Sequence, residues 1–109
     1  VVLNDNGTRV ASGANYNSDN GSNSGHGSVF NFNANSNDWI QIGSSIAGEY
    51  IGDKSGSALS FDKSGNTIAI GAVDNDGNGI SSGHVRVFSF NGTNWSQIGS
   101  DIDGEASND

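Results

Sequence analysis

Apolar residues come in short alternating runs, separated by clusters of Gly, Asn, Asp and Ser. In the clearest stretch, Ser57 to Phe61 predicts a short strand, and Asp62-Lys63-Ser64-Gly65-Asn66 predicts a tight turn. Thr67 to Ala72, rich in Ile and Ala, predicts a second strand, and the Gly- and Asp-rich run from Val73 to Gly83 a loop. His84 to Phe90 reads as a strong third strand. Asn91-Gly92 is a short hairpin signal, and Asn94 to Ile98 a fourth strand headed by Trp95. Successive strand residues point to opposite faces, so Val85 and Val87 lie on one side and Phe88 and Phe90 on the other. Both faces are apolar, and such a sheet needs neighbours on both sides.

The pattern occurs twice. With an offset of 58, Gly7, Ala11, Gly13, Ala14, Ser24, Gly25 and His26 fall on Gly65, Ala69, Gly71, Ala72, Ser82, Gly83 and His84. Val29, Phe30, Phe32 and Asn33 fall on Val87, Phe88, Phe90 and Asn91. A loop two residues shorter then changes the offset to 56, which pairs Trp39, Gln41, Ile42, Gly43, Ile46, Gly48, Glu49 and Asp53 with Trp95, Gln97, Ile98, Gly99, Ile102, Gly104, Glu105 and Asp109. About half of the aligned positions are identical, which marks a repeat of roughly 57 residues. The units are placed at 1–53, circularly offset, and 54–109. Lys54 to Ala58 has no counterpart ahead of Val1, so the expectation is a two-repeat window of a longer array. The predicted fold is all-β, with two four-stranded antiparallel blades of the β-propeller type. They would form part of a larger propeller, which takes about four to eight blades, or of a linear stack.

Composition narrows the function. Asn, Gly and Ser make up nearly half of the 109 residues, a bias that alone suggests disorder. Val, Ile, Phe and Trp recurring at fixed positions argue for order instead. A net charge of −8 with only four Lys and Arg leaves no basic stripe for phosphate, which excludes nucleic-acid binding and disfavours anionic membranes. No apolar run is long enough to insert into a bilayer. The absence of Cys removes disulfides, thiol catalysis and zinc-thiolate sites together.

Candidate chemistry is sparse. Asp74, Asp76 and Asn78, with Asn75 and Gly77 between them, offer oxygen ligands at alternating spacing and are the candidate calcium ligands. The competing reading is a turn held by Asp and Asn side chains, and the counterpart Tyr16 to Asn20 has a single carboxylate. Asp101, Asp103 and Glu105 read as a solvated acidic rim, weakened to Ser45, Ala47 and Glu49 in the first copy. His26 and His84 hold the same place in both copies and are assigned to loop hydrogen bonding. No hydroxyl nucleophile or carboxylate partner stands out beside either, so the chain is read as a non-enzyme. Trp39 and Trp95 are assigned to packing at the head of a fourth strand, with sugar stacking as the alternative. Four N-x-Ser/Thr sequons, at Asn6, Asn20, Asn91 and Asn94, are candidate glycosylation sites in turns or strand ends.

Ser55-Gly56 and Gly71-Ala72-Val73, set around a strand-turn-strand, resemble the FG-GAP repeat of integrin α-type β-propellers. The wider pattern, LSFDKSGNTIAIGAVDNDGNG running into SGHVRVFSFNGTNWSQIGSDIDGE, is similar to FG-GAP-like repeats of large secreted or surface proteins of microbes and algae. The resemblance implies propeller blades, an extracellular or cell-surface location, and adhesion or assembly rather than catalysis. Calcium-binding members carry a D-x-D-x-D-G-type loop in the first hairpin of the blade. Here that hairpin holds Asp62-Lys63-Ser64-Gly65 and Asn4-Asp5-Asn6-Gly7, so no ligand is carried over to it.

The leading expectation is an extracellular structural or adhesive repeat that assembles with neighbouring repeats or copies of the same chain, as a filament or surface layer. It takes no cofactor, or calcium at the Asp74 loop. The alternative is a carbohydrate- or calcium-dependent ligand-binding propeller, a lectin or receptor head whose partners include glycans.

Overall fold

The computed structural model describes residues 1–14, 24–75 and 83–106. They form two antiparallel sheets and, among the described residues, no helix long and apolar enough to cross a membrane. In the first sheet β1 (Val2–Leu3), β2 (Arg9–Ala14), β3 (His26–Asn33) and β4 (Asp38–Gln41) lie side by side in that order. A further short strand, β5 (Ile46–Ala47), also pairs with β3. The second sheet repeats this with β6 (Ser55–Phe61), β7 (Thr67–Ala72), β8 (His84–Phe90), β9 (Trp95–Gln97) and β10 (Ile102–Asp103).

The bounds of β7 and β8 are those the alternating pattern predicts. The fourth strand, Trp95–Gln97, lies within the expected Asn94 to Ile98, but each sheet carries a fifth, two-residue strand that the pattern does not predict. β4 pairs with the second half of β3 and β5 with its first half, and β9 and β10 divide β8 in the same way. The split falls at Gly43 (φ 67°) and Gly99 (φ 70°), where a left-handed residue turns the chain out of the ladder.

The two sheets match bond for bond. Gly48 N–H donates to the Gly25 carbonyl and Gly104 N–H to that of Gly83, each at 2.8 Å. Ile42 N–H reaches Val29 O at 2.9 Å and Ile98 N–H reaches Val87 O at 2.7 Å. The first hairpins close alike, by Gly7 N–H on Asn4 O and Gly65 N–H on Asp62 O.

Strand alternation then defines the packing. In β8, His84, Arg86 and Phe88 share the front face with Ile68, Ile70 and Ala72 of β7, their cross-strand partners. This front face lies on the back face of the first sheet, which presents Ala11, Val29 and Ile46, and together these side chains make the core. Ile68 and Ile70 are fully buried, each contributing about 1.5–3 kcal/mol through removal from water. Small residues allow the close approach: a Cβ on Gly27 would stand 3.3 Å from the Ile70 Cδ1. The core is therefore a layer between two sheets, built from one face of each.

Candidate functional site

The junction carries both the apolar contact and the main polar cluster. On its apolar side, Trp95 leaves the head of β9 to pack on Gly43 and donates its indole N–H to the Ile42 carbonyl at 3.3 Å. It is 8% exposed, whereas its repeat partner Trp39 is 40% exposed and contacts Phe32 edge to face. Trp95 is thus a packing residue with no free face for a sugar. Asn94 Oδ1 accepts the Ser44 N–H at 3.0 Å, which ties the hairpin of the second unit to the bend of the first.

At the other end of β8, Asp103 pairs across the ladder with His84, and Ile102 with Val85. Glu49 enters from the first unit, two residues beyond β5. The His84 Nδ1 lies 3.4 Å from Glu49 Oε1, 3.5 Å from Asp101 Oδ2 and 3.8 Å from Asp103 Oδ1. The His84 side chain is 1% exposed, and neither ring nitrogen has a hydrogen-bond partner among the described residues. This departs from the loop hydrogen bonding expected of it. Asp101, half-buried, departs from the expected rim, while Asp103 remains exposed as the rim reading expects and borders the imidazole. Glu105 is exposed.

Arg86 closes the cluster. Its guanidinium donates to Ala47 O at 3.0 Å and to Ser55 Oγ at 3.1 Å. Burial raises the Glu49 carboxyl above its ordinary range, and the charge of Asp101 and a shared hydrogen bond add to this against the pull of His84 and Arg86. For Asp101 burial acts upward too, but the hydrogen bonds from Gln97, at 2.6 Å, and Glu49, with the charges of His84 and Arg86, hold it below the usual carboxylate value. The two carboxyls are thus pushed in opposite directions, Glu49 upward and Asp101 downward, by the hydrogen bond and charge they share.

The Arg86 and Asp101 positions correspond to Ser28 and Ser45, and those two hydroxyls bond each other at 2.9 Å. Where one sheet has two neutral hydroxyls, the other has a guanidinium and a carboxyl that feel each other's charge. Glu49 and Arg86 escaped the sequence reading; the coupled change between the copies was a signal for Arg86, while Glu49, matched by Glu105 in the second copy, offered none.

The candidate calcium loop is only partly described. Asp74 pairs with Lys54 at 2.7 Å, while Asp76 and Asn78 lie outside the described residues. Next to it, buried Asn75 donates to Asp53 Oδ2 at 2.8 Å. In the first hairpin Asp62 holds its own turn, accepting from Gly65 N–H at 2.9 Å and Thr67 N–H at 3.2 Å. Of the sequons, Asn6, Asn91 and Asn94 are exposed, and Asn20 lies outside the described residues.

Beyond Asp103 and Gly104, the back face of the second sheet forms an open groove of about 420 Å³ lined by Ala58, Gly71, Val85, Ile102 and Gly104. The matching positions of the first sheet are Gly13, Gly27, Ile46 and Gly48, and these are covered by the second unit. Ile46 is 8% exposed and Ile102 is 62% exposed. No known protein-family model and no curated protein matches the chain.

Proposed function

We propose that the chain is a non-enzymatic structural module of an extracellular repeat protein, whose units stack front to back as blades of a β-propeller-type array and assemble with further units of the same kind. One observation carries the reading: the back face of the second sheet repeats the socket that the first sheet fills, and it stands open. The Ile46 and Ile102 contrast supports this, since the equivalent residue of the equivalent strand is covered by the second unit in one sheet and exposed in the other, where Val85 replaces Gly27 as its cross-strand partner. An apolar face of this kind needs an occupant, and the occupant that fits is the front face of another unit. Contacts of this front-to-back type are heterologous, so they close into rings or continue as open filaments. The exposed sequons Asn6, Asn91 and Asn94 fit a secreted, glycosylated protein.

Sedimentation velocity over a range of concentrations tests the reading. The expected result is self-association that Ile102→Asp weakens while leaving the circular dichroism spectrum unchanged. A chain that stays monomeric at millimolar concentration, or an Ile102→Asp variant that associates as well as the parent, overturns it. Electron microscopy of the assembled material then separates closed rings from filaments.

A further inference from the structure

We propose that Glu49, His84 and Asp101 bind one divalent transition-metal ion of the zinc type at the junction of the two sheets. One ligand atom from each of the three lies within 4.8 Å of the others, and Asp103 Oδ1 stands 3.8 Å from the His84 Nδ1.

The starting point is the imidazole. A buried polar group without a partner costs about 1–3 kcal/mol, so an imidazole with both nitrogens unbonded calls for an explanation. Its Nδ1 faces three carboxylate oxygens at 3.4, 3.5 and 3.8 Å. These separations exceed the roughly 2.7–3.2 Å of an N–H···O bond. They suit the edges of a zinc tetrahedron: metal-ligand bonds of about 2.1 Å place neighbouring ligand atoms about 3.4 Å apart.

Charge points the same way. Three carboxylates, Glu49, Asp101 and Asp103, against the single guanidinium of Arg86 leave two negative charges when all are ionised, which a dication neutralises. The guanidinium is fixed on Ala47 O and Ser55 Oγ, and one imidazole with carboxylate oxygens is a donor set zinc accepts.

Two consequences are specific to this chain. Glu49 belongs to the first unit while His84 and Asp101 belong to the second, so the ion would clamp the units together. The first sheet has Ser45 and Ala47 where the second has Asp101 and Asp103, so the stoichiometry is one ion per chain.

The test is a cobalt(II) titration of the whole chain, followed by zinc displacement and thermal denaturation. The expected result is a visible absorption band of tetrahedral cobalt that saturates at one equivalent, disappears with zinc, and is accompanied by a rise in Tm. His84→Gln, Glu49→Gln and Asp101→Asn each weaken cobalt binding by at least the roughly 10–100-fold that loss of a mere supporting group causes. Asp74→Asn and Glu105→Gln leave it unchanged. If His84→Gln fails to fold, the two carboxylate variants, on partly exposed residues, still decide. The proposal is overturned by absence of the band and of any Tm shift in excess metal, by unaltered binding in Glu49→Gln and Asp101→Asn, or by calcium stabilising the chain as strongly as zinc.

Discussion

Gly13 and Gly56 meet backbone to backbone across the junction: a Cβ on Gly13 would land on the Gly56 carbonyl oxygen, and one on Gly56 would land on the carbonyl of His26. Gly56 also has φ +91°, a conformation that L side chains rarely adopt. Gly13→Ala is expected to cost about 1–3 kcal/mol, the range for forcing extra volume into a packed site. Gly71, the repeat partner of Gly13, meets only the Ala58 Cβ at 3.4 Å, an ordinary contact, so Gly71→Ala should leave stability nearly unchanged. Urea denaturation of the two variants checks the contrast. Equal losses would mean that the junction does not pack as closely as the backbone contact requires.

The two tryptophans give a second paired measurement. Trp95→Ala removes a buried ring that also stacks on Phe90 at 5.1 Å, and an expected loss of about 3–5 kcal/mol follows from the cavity left behind. Trp39→Ala removes a ring that is already 40% exposed, so a smaller loss is expected, of which its edge contact with Phe32 is worth about 0.5–1.5 kcal/mol. Tryptophan fluorescence should divide likewise, with acrylamide quenching Trp39 well before Trp95.

What the sequence made legible follows from the range of the forces involved. The strands Thr67–Ala72 and His84–Phe90 were readable because alternation along one strand is a local property that burial of one face enforces. The turn at Asp62 was readable from its own residues. The two-residue strands Ile46–Ala47 and Ile102–Asp103 were not, since only the unfilled half of β3 or β8 gives them a ladder to join. The cluster at His84 was hidden for a different reason. It joins Glu49 to Asp101 across 52 positions, and each of its carboxylates reads as a surface charge until the two sheets stack.

Asp62 sets a pH dependence confined to one hairpin. Desolvation pushes its carboxyl up, but bonds from Thr67, Ser64, Gly65 and Asn66 together outweigh this and hold it below its ordinary value. A carboxylate depressed in the folded state adds stability above its unfolded pKa, about 3.9, and that contribution fades as pH falls through the folded value. Asp62→Ala is therefore expected to lower Tm by a few degrees at pH 7, with the difference shrinking as pH falls below the ordinary carboxylate value of about 3.9. Asn4 fills the same place in the first hairpin, accepting from Thr8 and Arg9 N–H at 3.0 Å each, and carries no titrating group. Asn4→Ala should consequently produce a Tm loss that does not change across the same acid range.

Arg9 links the first sheet to the Asp62 hairpin, and its removal should loosen that hairpin without dismantling the core. Its Nη1 donates to Gly65 O at 2.8 Å and to Asn66 Oδ1 at 2.7 Å, its Nε donates to Asn31 Oδ1 at 2.6 Å, and the guanidinium lies 5.5 Å from the Phe90 ring centre. Three of these contacts reach the second unit, yet Ile68 and Ile70 are buried independently of them. Arg9→Met keeps much of the aliphatic stem and removes the donors, so the expected cost is about 1.5–3 kcal/mol, the range for hydrogen bonds to a charged group. Amide exchange is the sharper measure. Protection at Gly65 and Thr67 should fall while that of Ile68 to Ile70 stays near the global limit; uniform loss across both would mean that Arg9 supports the whole junction rather than one turn.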